Sequence, residues 1–267
     1  MTRSRLILLD IDGTLMDGGV VAPSAAEAVA DARRNGHLVL LATGRSRPEI
    51  PQKVLDLGFD GVVSAAGGFV ELDGELVSRS TMPADAVREV VDFFEAHRIE
   101  FTLQAHDAVF TSGGLAARVA ELHARRGEAV EPVVETPRGP APTEGIAKAT
   151  FFGDHDDTFA VVRDGLGERF HVVTGTIPYL GHAGGEVSLP GVDKGAALLA
   201  LAERLGRAVE DTVAIGDSSN DVEMITAAGL GIAMGNATDD VLAIADDVTT
   251  SVHEDGVRTA FLRHGLI

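Results

Sequence analysis

Two carboxylates two positions apart, Asp10 and Asp12, stand directly after the apolar run Leu6 to Leu9 in the stretch Asp10, Ile11, Asp12, Gly13, Thr14. Thr43, Gly44 and Arg45 follow a second apolar run, Leu38 to Ala42. Gly216, Asp217, Ser218, Ser219, Asn220 and Asp221 follow a third, Val213 to Ile215. These residue types suit phosphoryl transfer. Mg²⁺ prefers one or two carboxylates plus phosphate oxygens, and the phosphate itself needs hydroxyl, amide and cationic donors. Asp10, Asp12, Asp217 and Asp221 offer the oxygens, while Thr43, the Gly44 amide, Asn220 and Lys194 offer the donors. Taken alone, Asp10 and Asp12 read equally well as turn residues, because Asp is favoured at turns and helix N-caps. The combination is what points to chemistry.

The elements that must position these residues are legible as patterns. Short apolar runs at Leu6 to Leu9, Leu38 to Ala42, Val213 to Ile215 and Gly231 to Met234 predict buried strands, with helical patterns between several of them. That alternation predicts an α/β fold with a parallel sheet covered by helices. Ligands in such sheets bind beyond the carboxyl ends of the strands, where three of these runs end in polar residues. A helix is predicted over Gly195 to Leu205, since Leu198, Leu201, Ala202 and Leu205 share one face, and another over about Asp221 to Ala228.

The middle of the chain has a different pattern. Pro83 opens a helix with Val87, Val90, Val91 and Phe94 on one face, followed by strand-like Glu100 to Gln104, Ala108 to Thr111 and Lys148 to Phe152. Glu131 to Gly145, rich in Pro and Gly, is expected to be a loop. An inserted α+β domain is therefore expected over residues 82–187, with 1–81 and 188–267 together forming the sheet domain.

Composition narrows the function. With 22 Lys plus Arg against 41 Asp plus Glu, the net charge of −19 disfavours nucleic acid and anionic membrane surfaces as partners, so a phosphate substrate needs a local cation. The absence of cysteine excludes disulfides, thiolate metal sites and cysteine nucleophiles. No run approaches the roughly 20 apolar residues of a membrane-spanning helix, and Asp10 interrupts the first apolar run too soon for a signal peptide. The expectation is a soluble, cytoplasmic protein.

DIDGT at Asp10 to Thr14, ATGR at Ala42 to Arg45, GVDKG at Gly191 to Gly195 and GDSSND at Gly216 to Asp221 resemble, in order, the four motifs of the haloacid dehalogenase superfamily. AMGNA at Ala233 to Ala237 and EDGV at Glu254 to Val257 are similar to its Cof-type (subfamily IIB) sugar-phosphatase branch. The resemblance implies a Rossmann-like core with a large α/β cap inserted between the second and third motifs, closing on a small phosphate ester. It implies Asp10 as the carboxylate that takes the phosphoryl group and Asp12 as the acid and base for leaving group and water. It also implies Mg²⁺ held by Asp10, the Asp12 carbonyl and Asp217 with support from Asp221, and the phosphate held by Thr43, Gly44, Lys194 and Asn220. In one place the chain departs from relatives: Ala66 stands where an Asn is common and offers no side-chain hydrogen bond to substrate or cap.

Other residues remain open in the sequence. Arg45 and Arg47 reach substrate or cap, or are ordinary surface arginines. Tyr179 and His182 lie before the return to the core, where the family often places substrate contacts, and are equally readable as loop. Asn236 is a turn residue by type but belongs to the AMGNA stretch. Asp154, His155, Asp156 and Asp157 suggest a metal site superficially and a turn before a helix more directly. Three competing functions use related chemistry: a signalling receiver, about half this size; a phosphometabolite-binding protein without turnover, which predicts a missing catalytic residue where none is missing; and a phosphosugar mutase, which the cap placement disfavours.

Overall fold

A computed structural model of the chain describes residues 4–126, 142–174 and 181–267. Leu6–Leu9 is a strand with all four side chains buried, paired in parallel with Leu38–Ala42 on one side and Thr212–Gly216 on the other. Burial on both faces is why these strands read as unbroken apolar runs. They belong to an eight-stranded sheet in the order Asp247–Val248, Gly231–Ala233, Thr212–Gly216, Leu6–Leu9, Leu38–Ala42, Gly61–Ser64, Phe69–Leu72, Glu75–Arg79. Six strands run parallel, and the last two form antiparallel pairs at one edge. From Leu6–Leu9 the chain builds first toward Leu38–Ala42 and later toward Thr212–Gly216, so Asp10 sits at the switch point of the sheet order, where open α/β sheets bind ligands.

Helices cover both faces. Ile7, Leu9, Val39, Leu41 and Val213 pack with Ala28, Val29 and Ala32 of helix Pro23–Arg34 and with Phe261 of helix Gly256–Arg263. Leu6, Leu8, Leu40 and Ala214 pack with Leu198 and Leu201 of helix Lys194–Arg204 and with Met224 and Ile225 of helix Val222–Ala227. The first of these begins at Lys194, one residue before the expected start, because Asp193 caps it: its side chain accepts from the Ala196 amide at 2.7 Å.

The chain divides into two compact units. One comprises Met1–Arg45, Ile50–Arg79 and Val192–Ile267; the other comprises Ser46–Glu49 and Ser80–Gly191. The long segment of the second unit runs from Ser80 to Gly191, where the patterning put 82 and 187, and Ser46–Glu49 joins it from the first part of the chain. Its sheet is antiparallel, in the order His171–Thr174, Gly184–Ser188, Lys148–Phe152, Glu100–Gln104, Val109–Thr111. One face carries Phe101, Leu103, Phe151 and Val187 against Val87, Val90 and Phe94 of helix Ala84–His97 and Val162 and Leu166 of helix Thr158–Leu166. By strand alternation the other face carries Thr102, Gln104, Lys148, Thr150, Glu186 and Ser188, all buried, with Lys148 and Glu186 paired at 2.8 Å.

Asp154–Asp157 forms the turn before helix Thr158–Leu166. Asp154 pairs with Arg118 at 2.8 Å, and Asp157 occupies the N-cap position without a side-chain capping bond. Residues 131–141 of the expected loop, and Tyr179, lie outside the described residues. Among the described residues no helix is long and apolar enough to cross a membrane.

Phe94 is fully buried in the second unit, with ring centroids 5.5 Å from Phe101 and 5.9 Å from Phe151. Phe94→Ala should therefore destabilise this unit by about 3–5 kcal/mol, visible as an earlier transition in urea followed by circular dichroism. A loss below about 1 kcal/mol would contradict this packing.

Candidate active site

Within the first unit, the strand ends bring the motif residues together. Asp10 continues the ladder of Leu6–Leu9, its amide donating to the Ile215 carbonyl at 3.0 Å, and its side chain is buried. Lys194, at the start of its helix and fully buried, donates to Asp10 Oδ1 at 2.6 Å and to Asp221 Oδ1 at 2.6 Å. Asp221 Oδ2 accepts from the amides of Asp217 and Ser218, closing a capping box on the turn Ser219–Asp221. Asn220 lies beside them: its carbonyl oxygen accepts from Ser218 Oγ at 2.8 Å and from Lys194 Nζ at 3.4 Å.

Asp217 is oriented by Thr14, whose hydroxyl donates to Asp217 Oδ1 at 2.9 Å. Gly13 makes that approach possible. It has φ +88°, and a Cβ there would sit 2.1 Å from Asp217 Oδ2. Asp12 behaves unlike Asp10. Its side chain is about half exposed and gripped at two points by Arg45, Nε to Oδ2 at 2.7 Å and Nη2 to Oδ1 at 2.8 Å. Thr43 is buried after Leu38–Ala42, and its hydroxyl accepts from the Arg45 amide at 3.1 Å; Gly44 is half-buried between them.

The turn that carries Ala66 braces this loop from the side, with Ala65 and Ala66 amides donating to the carbonyls of Arg45 and Thr43. Ala65 and Ala66 both have left-handed backbone, φ +48° and +53°. Asn tolerates that region better than Ala does, so the common Asn at Ala66 suits the backbone as well as a side-chain contact. Of the open candidates, Arg45 is joined to Asp12. His182 lies on the exposed turn Gly181–Ala183 of the second unit, edge-on to Phe159 at 6.1 Å between centroids. Thr14, which orients Asp217, has no role that its own sequence context predicts; its place four residues beyond Asp10 in the same loop is the one signal of it.

Three carboxylates crowd around one ammonium, and the crowding shifts Asp10 and Asp217. Burial, then repulsion from Asp221, holds Asp10 well above the ordinary carboxylate range. Asp217 is pushed up to about 7 by burial and by Asp221, against the opposing pull of the Thr14 hydroxyl and Lys194. Burial alone would lower Lys194, but Asp10 and Asp221 outweigh it and raise it. Asp10, Asp217 and Asp221 each bring an oxygen within 4.8 Å of the others, and among the described residues no other group of His, Cys, Asp or Glu is arranged this way. An all-oxygen cluster with excess negative charge fits a hard divalent cation.

Fold and site together mark the chain as a phosphohydrolase with an α/β core. The family model for haloacid dehalogenase-like hydrolases matches residues 7–261, and the chain belongs to that family, in its Cof-type branch. It is 30% identical over 267 residues to 5-amino-6-(5-phospho-D-ribitylamino)uracil phosphatase YcsE of Bacillus subtilis, covering 98% of this chain and 96% of the relative. It is also 30% identical over 274 residues to a protein of Arabidopsis thaliana named Endoribonuclease YBEY, chloroplastic, of which it covers only 46%, with 97% of this chain matched. A solved structure of a haloacid dehalogenase superfamily phosphatase from Bacteroides thetaiotaomicron matches with a TM-score of 0.80 at 25% identity, over 99% of this chain and 96% of that one.

Because Asp217 binds its proton more tightly folded than unfolded, its contribution to stability falls as pH rises from about 4 to about 7. With chelator present, Asp217→Asn should melt above the wild type at pH 8, and the gap should close toward pH 5 as wild-type Asp217 protonates. Equal melting temperatures at pH 8 would show that the crowding carries no penalty.

Proposed function

We propose that this phosphatase hydrolyses a small phosphorylated metabolite, a sugar phosphate in the first instance, by a Mg²⁺-dependent route through an aspartyl-phosphate on Asp10. The observation that carries this reading is the contrast between the two carboxylates of one loop. Asp10 is buried against Lys194 at 2.6 Å, while Asp12 is half exposed and oriented by Arg45. One is held as a nucleophile, and the other is held where protons can come and go.

In the first step an Asp10 oxygen bonds to phosphorus as the ester P–O bond breaks, and Asp12 gives the departing oxygen a proton. In the second, water attacks phosphorus, Asp12 takes its proton, and the bond to Asp10 breaks to release inorganic phosphate. Thr43, the Gly44 amide, Lys194 and Asn220 hold the phosphate oxygens as charge spreads over them. Asp10, the Asp12 carbonyl and Asp217 would hold Mg²⁺. Asp221, with one oxygen on Lys194 and the other on two amides, supports them from behind. When bound, the ion supplies positive charge to the phosphate and the attacking carboxylate. Arg45 and His182 contact the substrate, and the second unit selects the leaving group.

The test is a panel of hexose, pentose and nucleoside monophosphates and a phosphoserine peptide, assayed with Mg²⁺, with Ca²⁺ and with chelator. Turnover should require Mg²⁺, fall with Ca²⁺, favour the small esters in kcat/KM, and vanish in a folded Asp10→Asn variant. Metal-independent hydrolysis, a better peptide than sugar phosphate, or substantial Asp10→Asn activity would contradict the reading.

A further inference from the structure

Gly13 poses a mechanical problem. Contact with Asp217 leaves no room for a side chain, so the residue next to Asp12 has to be the one with the loosest backbone. Something outside the turn must hold it. Two hydrogen bonds come from within: the Gly13 amide donates to the Met16 carbonyl at 2.7 Å, and the Thr14 amide donates to the Ile11 carbonyl at 3.3 Å. The Gly13 carbonyl is held from elsewhere. Asn236, beyond strand Gly231–Ala233 and outside the catalytic motifs, donates its Nδ2 to that oxygen at 2.9 Å. Its Oδ1 accepts from the Val252 amide at 2.8 Å, so the side chain is itself fixed at both ends. Two neighbouring contacts reinforce the same arrangement. The Thr238 amide donates to the Asp217 carbonyl at 2.9 Å, and His253 Nε2 lies 2.9 Å from Asp17 Oδ2 on the short hairpin of strands Met16–Asp17 and Val20–Val21 that follows the turn.

We infer that Asn236 is a positioning residue for catalysis: its amide pins the Gly13 peptide and thereby sets where Asp12 stands relative to Asp10. The inference rests on the reading of Asp10 as nucleophile and Asp12 as acid and base. A purely structural role for Asn236 would be to tie three loops together for stability. The two differ in what they do to individual steps. If Asp12 is misplaced, dephosphorylation suffers even with a good leaving group, because water must still be deprotonated. If only stability is lost, every step falls with the folded fraction.

Asn236→Asp keeps the shape and the acceptor for Val252 but replaces the donor with an oxygen facing the Gly13 carbonyl. In a folded variant, steady-state turnover of p-nitrophenyl phosphate should fall about tenfold, the loss expected for one hydrogen bond of about 1.4 kcal/mol, with KM changed less than about threefold. A rapid-mixing experiment should reveal a larger burst of p-nitrophenol than in the wild type, as the aspartyl-phosphate accumulates. In the residual activity of Asp12→Asn, adding Asn236→Asp should cost less than about twofold, since two changes acting through one group are not additive. Asn236→Ala, read by the same coupling, covers the case in which the Asp variant does not fold. Wild-type turnover in either folded variant, or a loss that is fully additive with Asp12→Asn and brings no larger burst, would overturn the inference. A wild type without Mg²⁺-dependent turnover would instead remove the phosphatase mechanism on which it stands.

Discussion

The Lys194 ammonium is fully buried and 2.6 Å from both Asp10 and Asp221, and the rest of the site is arranged around it. A buried ammonium without partners would shed its proton, and a buried carboxylate without partners would take one up. Neither Lys194 nor the pair of acids could occupy this position alone. The position in turn is set by local chemistry: Asp193 caps the helix that Lys194 opens, and Gly67 packs so closely on the Asp193 carbonyl that a Cβ would meet it at 2.2 Å. Three loops from distant parts of the sequence are tied together by one cation.

That cation does not balance the site. With Asp10, Asp217 and Asp221 sharing it, negative charge is in excess, and burial plus mutual repulsion raises Asp10 and Asp217. Such strain is common where a site is built to receive something positive, and stability gives way to function there. In a protein of net charge −19 the excess is a local instance of a general condition: phosphate can approach only where positive charge is concentrated.

Much of this was legible in the sequence for a simple reason. Asp10 and Thr43 stand directly after apolar runs and Asp217 one residue further on, and in a parallel sheet the residues after a buried strand are at the ligand end. The strands Leu6–Leu9 and Leu38–Ala42 fall where the runs predicted them, and Lys148–Phe152 likewise in the second unit. What escaped depends on contacts that no local pattern encodes. The grip of Arg45 on Asp12 joins residues 33 apart, and Asn236 reaches Gly13 across 223. Strand Gly184–Ser188, with two glycines and no apolar period, takes its place only by pairing with Lys148–Phe152 and His171–Thr174. The two antiparallel edge strands, Phe69–Leu72 and Glu75–Arg79, likewise break the parallel pattern without a signal in the apolar runs.

The central claim is that the oxygen attacking phosphorus belongs to Asp10. An acyl phosphate, unlike a free carboxylate, is reduced by borohydride, so quenching the wild-type enzyme during turnover into borohydride marks whichever carboxylate carries the phosphoryl group. Mass spectrometry of the peptide spanning Leu6 to Thr14 should find homoserine at position 10. Reduction at a different carboxylate, or phosphate release with no reduced residue under conditions that trap a control acyl phosphate, would contradict the account.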